Sequence, residues 1–306
     1  MYFGPDIGEY PHLRSILATV DGRIVFERYY HSLGKDDFHH SASITKSITS
    51  ALVGIALGCG HIGSLDTVMV DFLPGRASLR NRAFLRQITF RHALTMSLGL
   101  GWSEPPSDTW DQSEDLIGLF CNLPQKDAPG LTFSYNTLAT HVLSLGLSEA
   151  VGMELSCFAK RCLFEPLAIT SGPWRRDVRG NAYGGHSAHF RARDLAKIGR
   201  LFLSEGMWQG TQLMPQWFAQ EATSRQNEGG PPEGCPYGYL WWTPSPDAFF
   251  ASGYGGQYVY AKRSLSLVVV ITAERDRPHL ENRTLIEAQL IPNLLKIGLG
   301  SQIDAT

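Results

Sequence analysis

Apolar residues recur along this chain at two spacings, and the spacing switches twice. Residues 13–20 and 23–30 are short, β-rich runs, and Asp21-Gly22 between them is a strong two-residue hairpin signal. Helical spacing then takes over. Ile44, Ile48, Leu52 and Ile55 recur at the interval of a buried helix over 43–58. Residues 89–96 read as a short capped helix, and Asp111-Gln112-Ser113-Glu114 resembles a capping box opening a helix over 115–120. Further helices are expected at 138–151 and 154–164, and an amphipathic one at 194–203 that stops near Gly206. After Pro236 the strand pattern returns at 237–243, 248–252, 257–261 and 265–272, as in an antiparallel meander, and a last helix over about 281–295 covers it.

This order predicts an α+β fold, with an antiparallel sheet formed by both chain ends, flanking helices and an inserted, mostly helical lobe. Residues 1–40 and 190–306 make the sheet lobe, residues 41–189 the helical one, and the cleft between them collects residues from all three regions.

The chemistry enters at the start of the first helix, in Ser41-Ala42-Ser43-Ile44-Thr45-Lys46-Ser47. Ser43 and Lys46 are three apart and share one helix face. A serine hydroxyl becomes a nucleophile when a neighbour takes its proton, and a desolvated lysine amine can do so. A serine in the first turn also has free backbone N–H groups beside it for a developing oxyanion. The spacing alone serves equally well a helix cap with a solvated lysine. Ser32-Leu33-Gly34-Lys35 matches the same pattern, yet Gly34 and Asp36-Asp37 mark it as a surface loop.

Composition narrows the field. The 306 residues are 43% hydrophobic and 18% charged, with a formal net charge of -2, which suits a globular chain with a large core and gives no sign of a nucleic-acid partner. No apolar run reaches the length of a membrane span. Met1 to Asp6 shows neither a basic nor an apolar signal region, so a cytoplasmic location is expected. Cys59, Cys121, Cys157, Cys162 and Cys235 are odd in number and match no zinc spacing, consistent with reduced thiols. Oligomeric state is left open.

Several ordered segments together resemble the serine β-lactamase and penicillin-binding-protein superfamily, on the class C-like side that includes family VIII carboxylesterases and 6-aminohexanoate-dimer hydrolases. They are Ser43-Ile44-Thr45-Lys46, the stretches 94–100 and 193–199, Phe133-Ser134-Tyr135-Asn136-Thr137, and Tyr237-Gly238-Tyr239-Leu240-Trp241-Trp242. The resemblance runs over nearly the whole chain. It implies Ser43 as nucleophile, Lys46 as its lysine partner and Tyr135 as proton shuttle, with Thr137, where the family often has asparagine, among the substrate-binding residues. It places Tyr254-Gly255-Gly256-Gln257 at the family's K-T-G motif, with the N–H groups of Ser43 and Gln257 as oxyanion hole and Tyr254, Gly255 and Gly256 along the substrate. Trp102 and His186 are expected in the cleft wall.

The implied activity is that of a serine hydrolase acting through an acyl-enzyme on small esters or amides, without metal or organic cofactor. A β-lactamase, an acyltransferase and a catalytically silent binding protein are alternatives on the same fold. Because Tyr254-Gly255 carries no cation where K-T-G has one, uncharged esters are expected to outrun penicillins and cephalosporins, unless a cation beyond the motif, such as Lys262 or Arg263, folds back. One rival lies in Gly185-His186-Ser187-Ala188-His189, which nearly spells the nucleophile elbow of an α/β-hydrolase around Ser187 but lacks its last glycine and a preceding strand. His186 and His189 form H-x-x-H without further ligands. Glu104 and Asp111 read as solvated loop carboxylates, with a lesser reading of one of them facing a substrate amine.

Overall fold

A computed structural model describes residues 10–75, 82–105, 109–276 and 278–296. Strands β1 (Leu13–Val20) and β2 (Arg23–Tyr29) form the N-terminal hairpin, whose Asp21 and Gly22 both have positive φ (50° and 78°), as a tight two-residue turn requires. Two short pairs, β3 (His39–His40) with β4 (His189–Phe190) and β5 (Met207–Trp208) with β6 (Thr211–Gln212), stand apart from the main sheet. The remaining strands are β7 (Asn227–Gly230), β8 (Cys235–Tyr237), β9 (Trp242–Ser245), β10 (Ala248–Gly253), β11 (Gln257–Lys262) and β12 (Leu267–Ala273). Among the described residues the main sheet has eight strands in the order β2-β1-β12-β11-β10-β9-β8-β7. Every pairing is antiparallel, and β1 lies beside β12, so the chain's beginning is sewn to its end.

The helices follow the apolar spacing. They are α1 (Ile44–Gly58), α2 (Phe90–Leu94), α3 (Leu116–Cys121), α4 (Thr137–Val151), α5 (Leu155–Ala159), α6 (Ala192–Leu203) and α7 (Gln216–Ala222), with α8 (Glu281–Thr284) and α9 (Ile291–Lys296) at the C-terminal end. Residues 44–56 of α1 are all buried, between the sheet and α4. Asn136 caps α4, accepting from the Ala139 N–H at 2.7 Å, and Gly152 ends it in the left-handed conformation. The amphipathic α6 lays its apolar face on β1, β11 and β12.

Three sequence expectations change. The helix near residue 115 is capped by Asp115, which accepts from Gly118 N–H, and not by Asp111. Asp111 is instead fully buried, with its carboxylate 2.7 Å from the Arg175 guanidinium. Run 237–243 is not one strand: it bends at Leu240, where φ is 60°, and splits into β8 and β9. The final helix is interrupted by a π-helical stretch, Leu285–Leu290. The reading of Met1 to Asp6 lies outside the described residues. Among the described residues no single helix is long and apolar enough to cross a membrane.

Candidate active site

Ser43 immediately precedes α1, half-buried, and the residue before it, Ala42, is held at φ 46°. A non-glycine residue in that region costs of order 1–3 kcal/mol and persists only where its surroundings impose it. Here the Ala42 N–H donates to His40 Nδ1 at 2.9 Å, and Ser41 Oγ donates to the Ala188 carbonyl at 2.6 Å. The strained bend sets the Ser43 hydroxyl over the helix face that carries Lys46.

Lys46 is 1% exposed and its Nζ reaches three oxygens: Ser43 Oγ at 2.9 Å, Thr137 Oγ1 at 2.9 Å and the Gly185 carbonyl at 2.8 Å. Burial lowers its pKa to about 7, and the Glu104 carboxylate opposes that fall. Near neutral pH a large share of Lys46 is therefore the free amine. The amine has two hydrogens and one lone pair. With the hydrogens on Thr137 and Gly185, the lone pair is left for the Ser43 hydroxyl.

Tyr135 completes the group. Its hydroxyl hydrogen-bonds with Ser43, and burial holds its pKa above the ordinary phenol value, so it stays protonated. Its ring stacks on Trp242, with centroids 6.0 Å apart and planes within 11°, and Lys46 Nζ lies 4.8 Å from its centroid. Trp102 is half-buried and Trp242 fully buried; the indole of Trp102 donates to Glu104 Oε2 at 2.7 Å.

Glu104 is exposed yet bound. The oxygen that takes the Trp102 indole also takes the Thr137 N–H at 3.0 Å, placing a carboxylate at the positive end of α4. Reading it as a solvated loop residue missed this, because the contact spans 33 residues of sequence. Gly185 was also missed. A Cβ there would lie 2.8 Å from Thr137, so only glycine lets its carbonyl come in beneath Lys46.

The β10–β11 hairpin departs from expectation. The residue that packs on the approach to Ser43 is Gly253, where a Cβ would stand 2.6 Å from the Ser41 carbonyl. Gln257 begins β11, an internal strand between β10 and β12, and its amide is tied to the Ala273 backbone at 2.7 and 3.0 Å. Gly255 and Gly256, expected to admit substrate, are pressed against the protein itself. Added Cβ atoms would meet the Glu274 carbonyl and the Asn282 amide, each at 2.4 Å. Both have positive φ (88° and 78°), so their glycine identity is explained by turn geometry and self-packing. Tyr254 at the tip is 51% exposed. Lys262 and Arg263 lie at the other end of β11, on Asp247 and Thr223, and do not fold back. A different cation arrives at the turn: Arg275, whose Cα would be 2.8 Å from a Gly255 Cβ.

Of the rival serines, Ser32 sits in a surface turn. Ser187 is 6% exposed at φ 69°, and precedes the two-residue β4, not a helix. Its hydroxyl bonds His186 Nδ1 at 2.5 Å. His186 is itself buried, stacked on Tyr183 at 4.4 Å, with its pKa lowered to about 2, chiefly by burial and then by the Lys46 charge. His189 turns to the Pro173 carbonyl instead of joining His186.

Comparison with known proteins bears on the family and the fold. The family model named Beta-lactamase matches residues 14–291. No curated protein sequence matches the chain. Among solved structures, a candidate 6-aminohexanoate-dimer hydrolase from Bacillus anthracis superposes with a TM-score of 0.80 at 17% identity, covering 94% of this chain and 80% of that one. A class C β-lactamase from Rhodobacter sphaeroides gives 0.74 at 17%, covering 94% and 97%. An octameric penicillin-binding-protein homologue from Pyrococcus abyssi gives 0.75 at 18%, covering 94% and 75%. At these identities the superpositions establish the fold. Together with the family match over most of its length, they make this chain a member of the Beta-lactamase family of serine hydrolases.

Proposed function

We propose that the protein hydrolyses small esters or amides through a covalent ester on Ser43. The observation that carries this reading is the Lys46 amine, buried, close to neutral in pKa and 2.9 Å from Ser43 Oγ. Lys46 takes the Ser43 proton as Oγ attacks the carbonyl carbon. The oxyanion is held by the Ser43 N–H at the start of α1 and by a second backbone N–H. We assign the second donor to Tyr254, directly after Gly253, in preference to Gln257, because the end of β10 is what packs against the Ser41–Ala42 bend. Such a donor is typically worth about 3–4 kcal/mol in the transition state. Tyr135, kept protonated, gives its hydrogen to the leaving group and is resupplied from Lys46. Water then enters where the leaving group stood, and the same proton steps run in reverse.

Trp102, Tyr135 and Tyr254 offer aromatic surface for the substrate's apolar part, with Trp242 supporting Tyr135 from beneath. Thr137, Gly185 and Glu104 act on Lys46 without touching the substrate. Incubation with a short-chain aryl ester, with and without an acceptor alcohol, followed by intact-mass measurement, tests the reading. An acyl adduct that disappears in Ser43→Ala supports it. Product ester formed faster than free acid would convert the hydrolase into an acyltransferase. Faster turnover of a chromogenic cephalosporin than of the ester would move it to the β-lactamases proper. No adduct with any of these would make it a silent binding protein.

A further inference from the structure

The stretch Gly185-His186-Ser187-Ala188-His189 grips the segment around Ser43 at several points. The Gly185 carbonyl takes Lys46 Nζ at 2.8 Å, and the Ala188 carbonyl takes both the Ser41 N–H at 2.9 Å and Ser41 Oγ at 2.6 Å. Between these two, Ser187 Oγ lies 3.3 Å from His40 Nε2, and His40 pairs with His189 where β3 meets β4. One backbone donor sets the direction of the hydrogens here. The Ala42 N–H points at His40 Nδ1 at 2.9 Å, and a ring nitrogen that accepts carries no hydrogen. The neutral ring therefore bears its hydrogen on Nε2 and gives it to Ser187 Oγ. Ser187 in turn passes its own hydrogen to His186 Nδ1 at 2.5 Å.

The charges agree with the hydrogens. Burial, reinforced by the Arg275 charge, lowers the His40 pKa to about 3, which keeps the ring neutral. Arg275 Nη1 lies 3.1 Å from Nε2, but with Nδ1 taken by Ala42 that nitrogen has no lone pair to give, so the guanidinium acts on His40 through its charge. What the chain of bonds steadies is a strained residue. Ala42 is buried at φ 46°, and a buried N–H without an acceptor is costly. Were His40 to stop accepting, a turn of Ala42 back to negative φ would release the strain and swing Ser43 away from Lys46.

We propose that His40 is a positioning residue for Ser43: its bare Nδ1 holds the Ala42 N–H, and with it the left-handed bend that aims the Ser43 hydroxyl at Lys46, while Ser187 and His186 fix the tautomer. The proposal rests on Ser43 as nucleophile. It gives Ser187 a task beside the reaction without making it the attacking group. Because His40 acts through the Ala42 backbone and not on the substrate, its loss is felt in kcat and not in KM.

Two amide side chains separate the two ring nitrogens in a test. Asparagine carries an oxygen where Nδ1 stands and can still accept from Ala42, whereas glutamine reaches the Nε2 position and keeps only the contact with Ser187. With a short-chain aryl ester, His40→Asn should retain kcat within about threefold. His40→Gln should lose about ten- to a hundredfold in kcat, with KM within about twofold. A role in stability alone would lower Tm in both variants and leave their kcat values alike. Ser187→Ala keeps the bond from Ala42 to His40 and should cost less than about tenfold. The tautomer is read separately, in the wild-type protein, from long-range proton–nitrogen NMR correlations near neutral pH. His40, assigned as the signal missing from His40→Asn, should show a bare Nδ1 and a protonated Nε2. Equal kcat in the two variants, or a hydrogen on Nδ1, would overturn the role. Turnover that persists in Ser43→Ala would instead overturn the nucleophile, whichever tautomer His40 shows.

Discussion

The two sides of the Ser43 site are built on opposite principles. On the α1 and α4 side the polar atoms around Ser43 have partners of the right kind: Lys46 with three oxygens, Thr137 between Lys46 and Glu104, Asn136 on its own helix. On the hairpin side Arg275 Nη1 lies 3.1 Å from His40 Nε2, and the turn of Gly255 and Gly256 is clamped from behind by Glu274, His279 and Asn282. A saturated wall fixes geometry and tunes a pKa. The first sets the pKa of Lys46, and the second supports the backbone bend before Ser43.

The largest expected effect breaks the first wall outright. Ser43→Ala should lower turnover of a short aryl ester by about a thousandfold or more, the scale on which a lost nucleophile is felt. Ser32→Ala should leave the rate unchanged, and Ser187→Ala should cost less than about tenfold. Steady-state kinetics on the three variants decides it, and a Ser187→Ala loss equal to that of Ser43→Ala would move the nucleophile to Ser187. One step smaller, Lys46→Ala and Tyr135→Phe should each cost at least about a hundredfold. Their double variant should be little worse than the poorer single one, because the two groups move one proton between them. Multiplied losses would mean that they act independently.

The hairpin wall yields a sharper contrast between two neighbours. In Gly253→Ala the new methyl would stand 2.6 Å from the Ser41 carbonyl and 2.9 Å from Ala42 Cβ. It pushes β10 off the bend before Ser43, and kcat should fall about ten- to a hundredfold, as misplacing a reacting group by an ångström does. Gln257→Leu removes the side-chain bonds to Ala273. It should lower Tm while kcat changes by less than about threefold. The reverse pattern, with Gln257→Leu the slow variant, would mean that the start of β11, and not the end of β10, positions the second oxyanion donor.

What the sequence makes legible follows the same division. The Asp21-Gly22 hairpin, α1, α4, α6 and the strands at 248–253 and 257–262 are readable because local periodicity and turn chemistry specify them. Ser43, Lys46 and Tyr135 are legible as a set because helix spacing and ordered segments point to one place. Glu104, Gly185, Gly253 and Arg275 are not, since each acts through contacts that join distant segments. Glu104 reaches Thr137 across 33 residues, and Arg275 reaches His40 across 235. The glycines mislead for a further reason: a turn needs them for φ and for self-packing before any substrate does.

The smallest effect tests the tuning of the saturated wall. An unfolded lysine titrates near 10.4, whereas Lys46 in the folded chain titrates at about 7. Between those values the unfolded state binds the extra proton, so stability rises as pH climbs through that window, and the gain is absent below about 7, where both states are protonated. Activity should rise through the same lower pKa, because the free amine is the base, and hold a plateau while Tyr135 keeps its hydrogen. Lys46→Met fills the same space without a charge to desolvate. It should abolish turnover and yet raise Tm at neutral pH by about 1–2 °C, the shift that about 1 kcal/mol gives in a chain of this size. The wild-type excess of stability at pH 9 over pH 7 should shrink in that variant. A Tm that falls in Lys46→Met would mean that the three hydrogen bonds outweigh the desolvation of the amine. The near-neutral base would then have to be explained by something other than burial.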